Sequence, residues 1–237
     1  MAQVIGASEA AGLIRDHACV YFGGSGGGHA VPEALIEALR DRFVAEGTPR
    51  GLTLASSVSI GDWDSTGFNL LADPTLVRRV ISGGLNNCPK IAALAIADEI
   101  EAYTFPQGAL SQLCRDRAAG RPGLLTRTGL HTFIDPRYGG GKQSKRTTED
   151  LVTLVTIDGE EFLLYRSFPI DVAILRGTTA DERGNISMED EAFLGESFSL
   201  AAAAHRRGGI VIVQVQRLAA ARSLDPKQVE VPGVLVD

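Results

Sequence analysis

The sequence predicts an α/β fold: an open, mostly parallel sheet with helices on both faces and an antiparallel hairpin added at one side. Three observations carry this expectation. Short apolar runs alternate with amphipathic segments through the first half of the chain, the βαβα pattern that builds a parallel sheet. The run GGIVIVQVQRL (208–218) is continuously apolar at its centre, as strands covered on both faces of a parallel sheet are. In LVTLVTIDGEEFLLYRSF (151–168), two apolar runs flank Asp158-Gly159, a strong hairpin signal.

Taken in order, Cys19 to Phe22 reads as a short strand running into GGSGGG, five glycines within six positions. Pro32 to Phe43 follows as an amphipathic helix, with proline in the first turn where its missing N–H costs nothing. Gly51 to Ile60 and Val77 to Ile81 return to strands, and Pro89 to Ala97 is helical. EIEAYTF (99–105) is a strand that leads into PQGALSQLCRDRAAG, a helix stopped at Gly120. RYGGGKQSKRTTED (137–150) is the one flexible, polar segment, either a functional loop or a solvated one. After the hairpin, DVAILRGTTADERGNI (171–186) gives a buried strand, a polar loop and a turn at Arg183-Gly184-Asn185. A helix through GESFSLAAAAHRR and the apolar run 208–218 complete the pattern. With no internal repeat and no low-complexity linker, the 237 residues form a single domain, 1–237.

Composition narrows the function. At 44% hydrophobic and 22% charged, the chain is an ordinary globular protein. A net charge of −6 with no basic run excludes a nucleic-acid binder, and 6% aromatic residues supply no base-stacking platform. Cys19, Cys88 and Cys114 are odd in number and lack metal spacing, so they read as reduced, buried thiols. His17, His29 and His205 have no His or Cys companion at metal spacing, and no metal is assigned. The start MAQVIGASEAAGLI has no basic segment ahead of an apolar core. The apolar stretches are also too short to cross a bilayer. The expectation is a cytoplasmic protein without membrane partners.

The glycine run poses the sharpest question. A glycine-rich turn at the mouth of a helix can cradle phosphates. The Walker pattern needs Gly-Lys-Ser/Thr, but Gly28 precedes His29-Ala30-Val31. The dinucleotide fingerprint finds Gly24 and Gly26 but histidine at the third glycine, and no acidic residue lies in Gly51 to Ile60. Two readings remain: the glycines allow a sharp turn and close packing, or they allow close approach of a ligand.

Several longer blocks resemble the class I coenzyme A transferases, above all the propionate/acetate and 3-ketoacid CoA-transferases. They are RSFPIDVAILRGTTADERGNISMEDEA, GGIVIVQVQRLA with LDPKQVEVPGVLVD, GGSGGGHAVPEALIEAL, ISGGLNNCPKI, and FPQGALSQLCRDRAAGRPGLLTRTGLHTFIDPRYGGGK. The resemblance runs from about Val20 to Asp237 and implies the alpha-type, Rossmann-like domain of that family. It implies transfer of CoA from a short-chain acyl-CoA (acetyl-, propionyl- or acetoacetyl-CoA) to a carboxylate acceptor. The CoA thioester is then substrate and no further cofactor is used. In the family a glutamate forms an acyl anhydride and then a glutamyl-CoA thioester.

Carried over by residue, the Pro-Gln-Gly glutamine is Gln107, whose amide donates to the oxyanion. Gly23, Gly24, Ser25, Gly26, Gly27 and Gly28 leave room for the thioester and acyl group, with main-chain N–H groups facing it. His131 stands where many relatives have glycine, and is either a pocket residue or a loop residue. Asp135 and Arg137 fix their loop through local hydrogen bonds; Lys142, Lys145 and Arg146 either meet CoA phosphates or are solvated. Glu189-Asp190-Glu191 reads as a solvated face or helix start.

The family's nucleophilic glutamate belongs to a second, beta-type half. Glu196 in LGESF lacks the surrounding pattern and reads as a solvated helix carboxylate. The expectation is therefore a first half, whether natural subunit or piece of a longer protein, silent without its partner and assembled as a homo- or hetero-oligomer. A non-catalytic binding module and an acyl-CoA hydrolase on the same scaffold are the alternatives.

Overall fold

Successive residues of one strand belong to two different cores. In the computed structural model, which describes residues 2–237, β1 (Cys19–Phe22) sends Val20 and Phe22 to one face of its sheet and Cys19 and Tyr21 to the other. After a short α1 (Ala7–Gly12), β1 alternates with α2 (Glu33–Glu46), β2 (Leu52–Ser56), β3 (Val77–Ser82), α3 (Pro89–Ile96), β4 (Glu101–Thr104) and α4 (Gln107–Ala118). Local chemistry sets these ends. α2 stops at Gly47, which is left-handed at φ 68° and donates to the Phe43 carbonyl at 2.8 Å. α3 starts on Pro89, and α4 ends with Arg115 and Arg117 beside its carbonyl terminus.

The chain continues through β5 (Gly123–Thr126), β6 (Val152–Ile157), β7 (Glu160–Arg166), β8 (Val172–Arg176), β9 (Thr179–Asp181) and β10 (Ile186–Ser187). It closes with α5 (Ser197–His205), β11 (Ile210–Gln214), β12 (Arg217–Ala219) and β13 (Val229–Val231). The main sheet has the order β11-β8-β1-β2-β3-β4, with every pair parallel. α1, α2 and α3 cover one face through Ala10, Leu35, Ile36, Leu39 and Ile91. α4 and α5 cover the other, where Ala201, Ala203 and Ala204 face Leu110 and Leu113 in one cluster.

The alternating helices, the parallel sheet and the antiparallel hairpin agree with the expectation; four local placements differ. The hairpin turns at Asp158-Gly159, both residues at positive φ, but it joins β5 in its own antiparallel sheet β5-β7-β6 instead of extending the main one. β11 is an edge strand whose one strand partner is β8, with Asp237 bonding Val211 at 2.9 Å and 3.2 Å, although its apolar run suggested a central place. The polar loop after β8 is folded into a four-stranded sheet, β12-β9-β10-β13, around the buried Asp181. That carboxylate accepts from the N–H groups of Arg183 (2.9 Å) and Asn185 (3.0 Å) and from Asn185 Nδ2 (3.0 Å).

The fourth difference is residues 137–150, which are strapped along the open side of β4. Thr104 N–H donates to the Gly141 carbonyl (2.9 Å), Gln143 N–H to that of Ala102 (2.8 Å), and Ser144 Oγ to that of Ile100 (2.8 Å). These bonds satisfy an edge that would otherwise be free to pair with another chain. Lys142 is paired with Asp150 at 2.7 Å, Lys145 N–H donates to Asp98 at 2.7 Å, and Arg146 donates to the Glu99 carbonyl at 2.9 Å. Glu189-Asp190-Glu191 lies in the loop between β10 and α5, where Glu189 and Asp190 are exposed, as expected of a solvated face, and only Glu191 is not. Arg176 donates to Glu191 at 2.9 Å, leaving that side chain 5% exposed, while Arg217 takes Glu189 (3.2 Å) and Asp190 (2.6 Å).

Candidate functional site

Six parallel strands bring all their C-terminal ends to one edge, and the loops there are where an open α/β sheet presents its ligand groups. The glycine turn follows β1, Ser57 to Ser59 follow β2, Gly83 to Asn87 follow β3, and Gln107 follows β4. Gln107 and the glycine turn therefore share an edge but not adjacent strands, because β2 and β3 stand between them. Two contacts close that gap. A Cβ on Gly26 would collide with Asn87 Nδ2 and lie 2.9 Å from the Ser59 carbonyl oxygen. A Cβ on Gly83 would collide with the Ser57 carbonyl oxygen and lie 2.7 Å from Gln107 Cγ.

The glycines of the turn divide into two kinds. Gly23 and Gly24 are buried where the chain passes its own backbone: a Cβ would lie 2.8 Å from Leu175 Cδ2 at Gly23 and 2.7 Å from the Ala30 carbonyl oxygen at Gly24. Ser25 and His29 then pair in a one-bridge hairpin, with Ser25 N–H donating to the His29 carbonyl at 2.8 Å. At its tip Gly27 (φ 80°) and Gly28 (φ 86°) are exposed and left-handed, with nothing closer than 3.8 Å to an added Cβ. Close packing explains the first pair, and backbone conformation explains the second. The space over the tip is open.

Gln107 is the first residue of α4, with Pro106 at the cap, and its side chain is exposed on the same edge. Its stem lies against Gly83, so the amide is held near the ends of β2 and β3. α4 starts there because Pro106 ends β4 and pre-sets the first turn, while Ala109, Leu110, Leu113 and Cys114 bury the helix face behind it.

Directly below lies a polar column that sequence reasoning missed. Tyr21 Oη and Ser57 Oγ are 2.8 Å apart in the core, and burial pushes the Tyr21 hydroxyl well above its usual range. Glu196 belongs to the same cluster. It is the N-cap of α5, is 6% exposed and leaves Oε1 buried without a hydrogen-bond partner. This corrects the expectation of a solvated carboxylate: the chain enters α5 from the loop after β10, and the cap position points inward. Burial raises the Glu196 pKa above the usual carboxylate value, and the hydroxyls of Ser57 and Ser111 offset the rise only in part. Ser111 lies one turn beyond Gln107 on α4. A carboxyl group in such a place holds its proton more tightly than one in water. The available signal was polar residues standing at the C-terminal ends of apolar strands, as Ser56-Ser57 do.

His131 is exposed at φ 61°, the left-handed region that glycine adopts without strain, which gives a backbone reason for glycine at this position. Its N–H donates to Asp135 Oδ2 at 3.1 Å, and no hydrogen bond joins it to Gln107 or the glycine turn. Asp135 is fully buried and also accepts from Arg137 N–H (3.1 Å), Nε (3.0 Å) and Nη2 (2.7 Å), which together hold its carboxyl well below the usual range. The pair fixes the loop, as anticipated. Among the described residues no cluster of His, Cys, Asp or Glu could hold a metal ion, and no helix is long and apolar enough to cross a membrane. Cys19, Cys88 and Cys114 are free and buried, with burial pushing the Cys19 thiol up to about 12.

Comparison with known proteins agrees with this arrangement. The family model described as "Coenzyme A transferase" matches residues 4–237. The chain is 45% identical over 237 residues to a caffeate CoA-transferase of Acetobacterium woodii, covering 100% of this chain and 45% of that protein. It is 30% identical to one component of the succinyl-CoA:3-ketoacid coenzyme A transferase of Xanthomonas campestris, over 96% of this chain and 83% of that component. Among solved structures, the acyl-CoA transferase YdiF of E. coli O157:H7, in a thioester complex with CoA, superposes with a TM-score of 0.98 at 40% identity. That match covers 100% of this chain and 46% of YdiF. The chain thus spans about half the length of the caffeate enzyme and of YdiF, and most of the 3-ketoacid component.

Proposed function

The chain belongs to the coenzyme A transferase family, and on that premise we propose that it supplies the oxyanion and acyl-pocket half of an acyl-CoA:carboxylate CoA-transferase. The observation that carries this reading is Gln107: an exposed amide at a helix start, on the carboxyl edge of the sheet, with the open glycine tip on the same edge. A donor fixed before reaction stabilises charge that appears on a carbonyl oxygen only in the transition state.

In the proposed cycle a glutamate from a second, beta-type half attacks the thioester carbonyl, and the C–S bond breaks to release CoA thiolate and leave a mixed anhydride. The thiolate then attacks the glutamyl carbonyl and expels the acyl group as a carboxylate, forming a glutamyl-CoA thioester. An incoming carboxylate reverses both steps and leaves as the new acyl-CoA. Each attack places negative charge on a carbonyl oxygen, and the Gln107 amide N–H donates to it. Gly27 and Gly28, free of side chains, leave room for the acyl group, and His131 borders the site through its loop. The donor is a short-chain acyl-CoA, although the relatives' names extend from 3-ketoacids to caffeate. We place the reaction in the cytoplasm and the working enzyme in an oligomer of both halves.

The test is transfer of CoA from propionyl-CoA to acetate by this chain, with and without a beta-type half. Activity only in the mixture, with a CoA adduct on the added half by mass spectrometry, supports the reading. Steady transfer by this chain alone, or an adduct on Glu196, overturns it.

A further inference from the structure

α4 carries Gln107 at one end and, about 18 Å away for a helix of 12 residues, opens onto a second hollow. The hollow has a volume of about 240 Å³ and lies where the C-terminus of α4, the C-terminus of α5 and the end of β7 meet. Four guanidinium groups line it: Arg117, Arg121, Arg206 and Arg207. Two of them have partners. Arg121 is paired with Asp116 at 2.9 Å, and Arg206 donates to the Ala118 carbonyl at 3.3 Å. Arg206 can lie there because Gly120, left-handed at φ 74°, has no Cβ to collide with its guanidinium.

Arg117 and Arg207 form no salt bridge among the described residues. Two polar atoms behind this hollow, Arg117 Nε and Ser167 Oγ, are buried without a hydrogen-bond partner; both residues also border a small cavity lined by Tyr21, Leu110, Leu113 and Phe168. Burial, then the charges of Arg207 and Arg206, lower the Arg117 pKa, which reports how close these cations stand. Asp171 faces Arg117 as well, but its Oδ2 accepts from Cys19 N–H at 2.8 Å. The two helix C-termini offset only about half a charge each. Positive charge therefore exceeds negative charge around the hollow, and two of its four arginines have no acidic partner.

We propose that this hollow binds a phosphate-type oxyanion carrying two negative charges, on the opposite edge of the sheet from Gln107. The volume suits a phosphate group; drug-sized ligands occupy roughly 300–1,000 Å³. Arg117 and Arg207 present forked donors that match phosphate oxygens. The site is independent of the transfer reaction. Its phosphate is either free or attached to a larger molecule, and the two share the same contacts.

The experiment is calorimetric titration of the full chain with inorganic phosphate at low salt, beside adenosine 3′-phosphate and succinate. Wild type is compared with Arg117→Gln, Arg207→Gln and Arg15→Gln, the last an exposed arginine outside the hollow. One saturable phosphate site is expected in wild type and Arg15→Gln, at least tenfold weaker in Arg117→Gln and Arg207→Gln, with thermal melts showing all variants folded. Adenosine 3′-phosphate binding more than tenfold tighter, with the same dependence on Arg117 and Arg207, assigns the phosphate to a larger ligand. No saturable phosphate binding, equal affinity in every variant, or binding of succinate alone overturns the proposal.

Discussion

Adjacent glycines at the end of β3 offer a matched pair of perturbations. A methyl group on Gly83 would collide with the Ser57 carbonyl oxygen and lie 2.7 Å from Gln107 Cγ. One on Gly84 would meet only Asn86 Oδ1, at 3.0 Å, the end of a side chain that can turn away. Neither glycine has positive φ, so alanine suits both backbones and gains about 0.4–1 kcal/mol from a stiffer unfolded chain. At Gly83 the clash is with backbone. Ser57 is held from behind by its 2.8 Å contact with Tyr21, and the Ser82 carbonyl beside Gly83 accepts from Phe105 N–H at 3.1 Å. Relief requires the ends of β2 and β3 to separate, an overpacking cost of about 1–3 kcal/mol. Gly83→Ala should therefore be destabilised by about 1.3 kcal/mol net, which for a chain of this size lowers Tm by roughly 3–5 °C. Gly84→Ala should stay within about 2 °C of wild type on the same scale. Scanning calorimetry of both variants decides the matter. A Gly83→Ala melt within that margin, or an equal fall in Gly84→Ala, would refute the contact between Gly83, Ser57 and Gln107.

The other expectations concern Gln107, Glu196 and Asp135. In the assembled enzyme Gln107→Ala should raise the barrier by about 2–4 kcal/mol, seen as lower kcat with KM little changed; weaker binding at undiminished kcat would make Gln107 a positioning residue instead. Glu196 has a raised folded-state pKa, so its stabilising share is fully present below the unfolded value of about 4.3 and is lost as pH rises through the folded value. Glu196→Gln, neutral throughout, should be more stable than wild type at pH 8 by about 1–3 kcal/mol and nearly equal to it at pH 4; urea titrations showing the same difference at both pH values would place this carboxylate in water. For Asp135 the sign reverses, because its folded pKa is lowered: the stability it gives is present above about 3.9 and fades as pH falls below it. Asp135→Asn should accordingly lower the urea midpoint at pH 7, with the gap to wild type narrowing as pH falls below about 3.9 and closing only well below that. A constant gap would mean that lost hydrogen bonds, not charge, account for the loss.

Strand and helix periodicity reported the main sheet well, because buried parallel strands and one-sided helices leave strong patterns: Cys19–Phe22, Pro89–Ile96 and Gln107–Ala118 fall where their residues place them. What periodicity could not report is which edge of the sheet a strand occupies. The run around Ile210 is apolar enough for the middle, yet β8 is the one strand that pairs with it. Residues 137–150 read as flexible because glycines, lysines and serines carry no apolar signal, and their order comes from the open side of β4, which a linear reading does not contain. The site divides in the same way. Gln107 and the glycine turn were found through long motifs, and their common edge follows from parallel topology. Glu196, Ser57 and Tyr21 were not found as a group, because three residues 36 and more positions apart meet only through packing. A lone glutamate ahead of a helix looks like any solvated carboxylate until the cap is seen to point inward.

The division of β1 between two cores has a bearing on how this chain tolerates change. The Tyr21, Ser57, Glu196 column stands on the α4–α5 side, while Ile36, Leu39, Phe68 and Ile91 belong to the cluster across the sheet. Changes at sites without shared partners combine nearly additively, whereas neighbours interfere. The α2–α3 side is insulated away from the loops: random libraries at Ile36 and Leu39 should act mainly on thermal stability, whereas Phe68 packs against Phe22, next to Gly23, with ring centroids 5.2 Å apart. The same libraries at Leu110, Cys114 and Leu200 would act on the packing beneath Gln107, so stability and the geometry of the candidate site would change together.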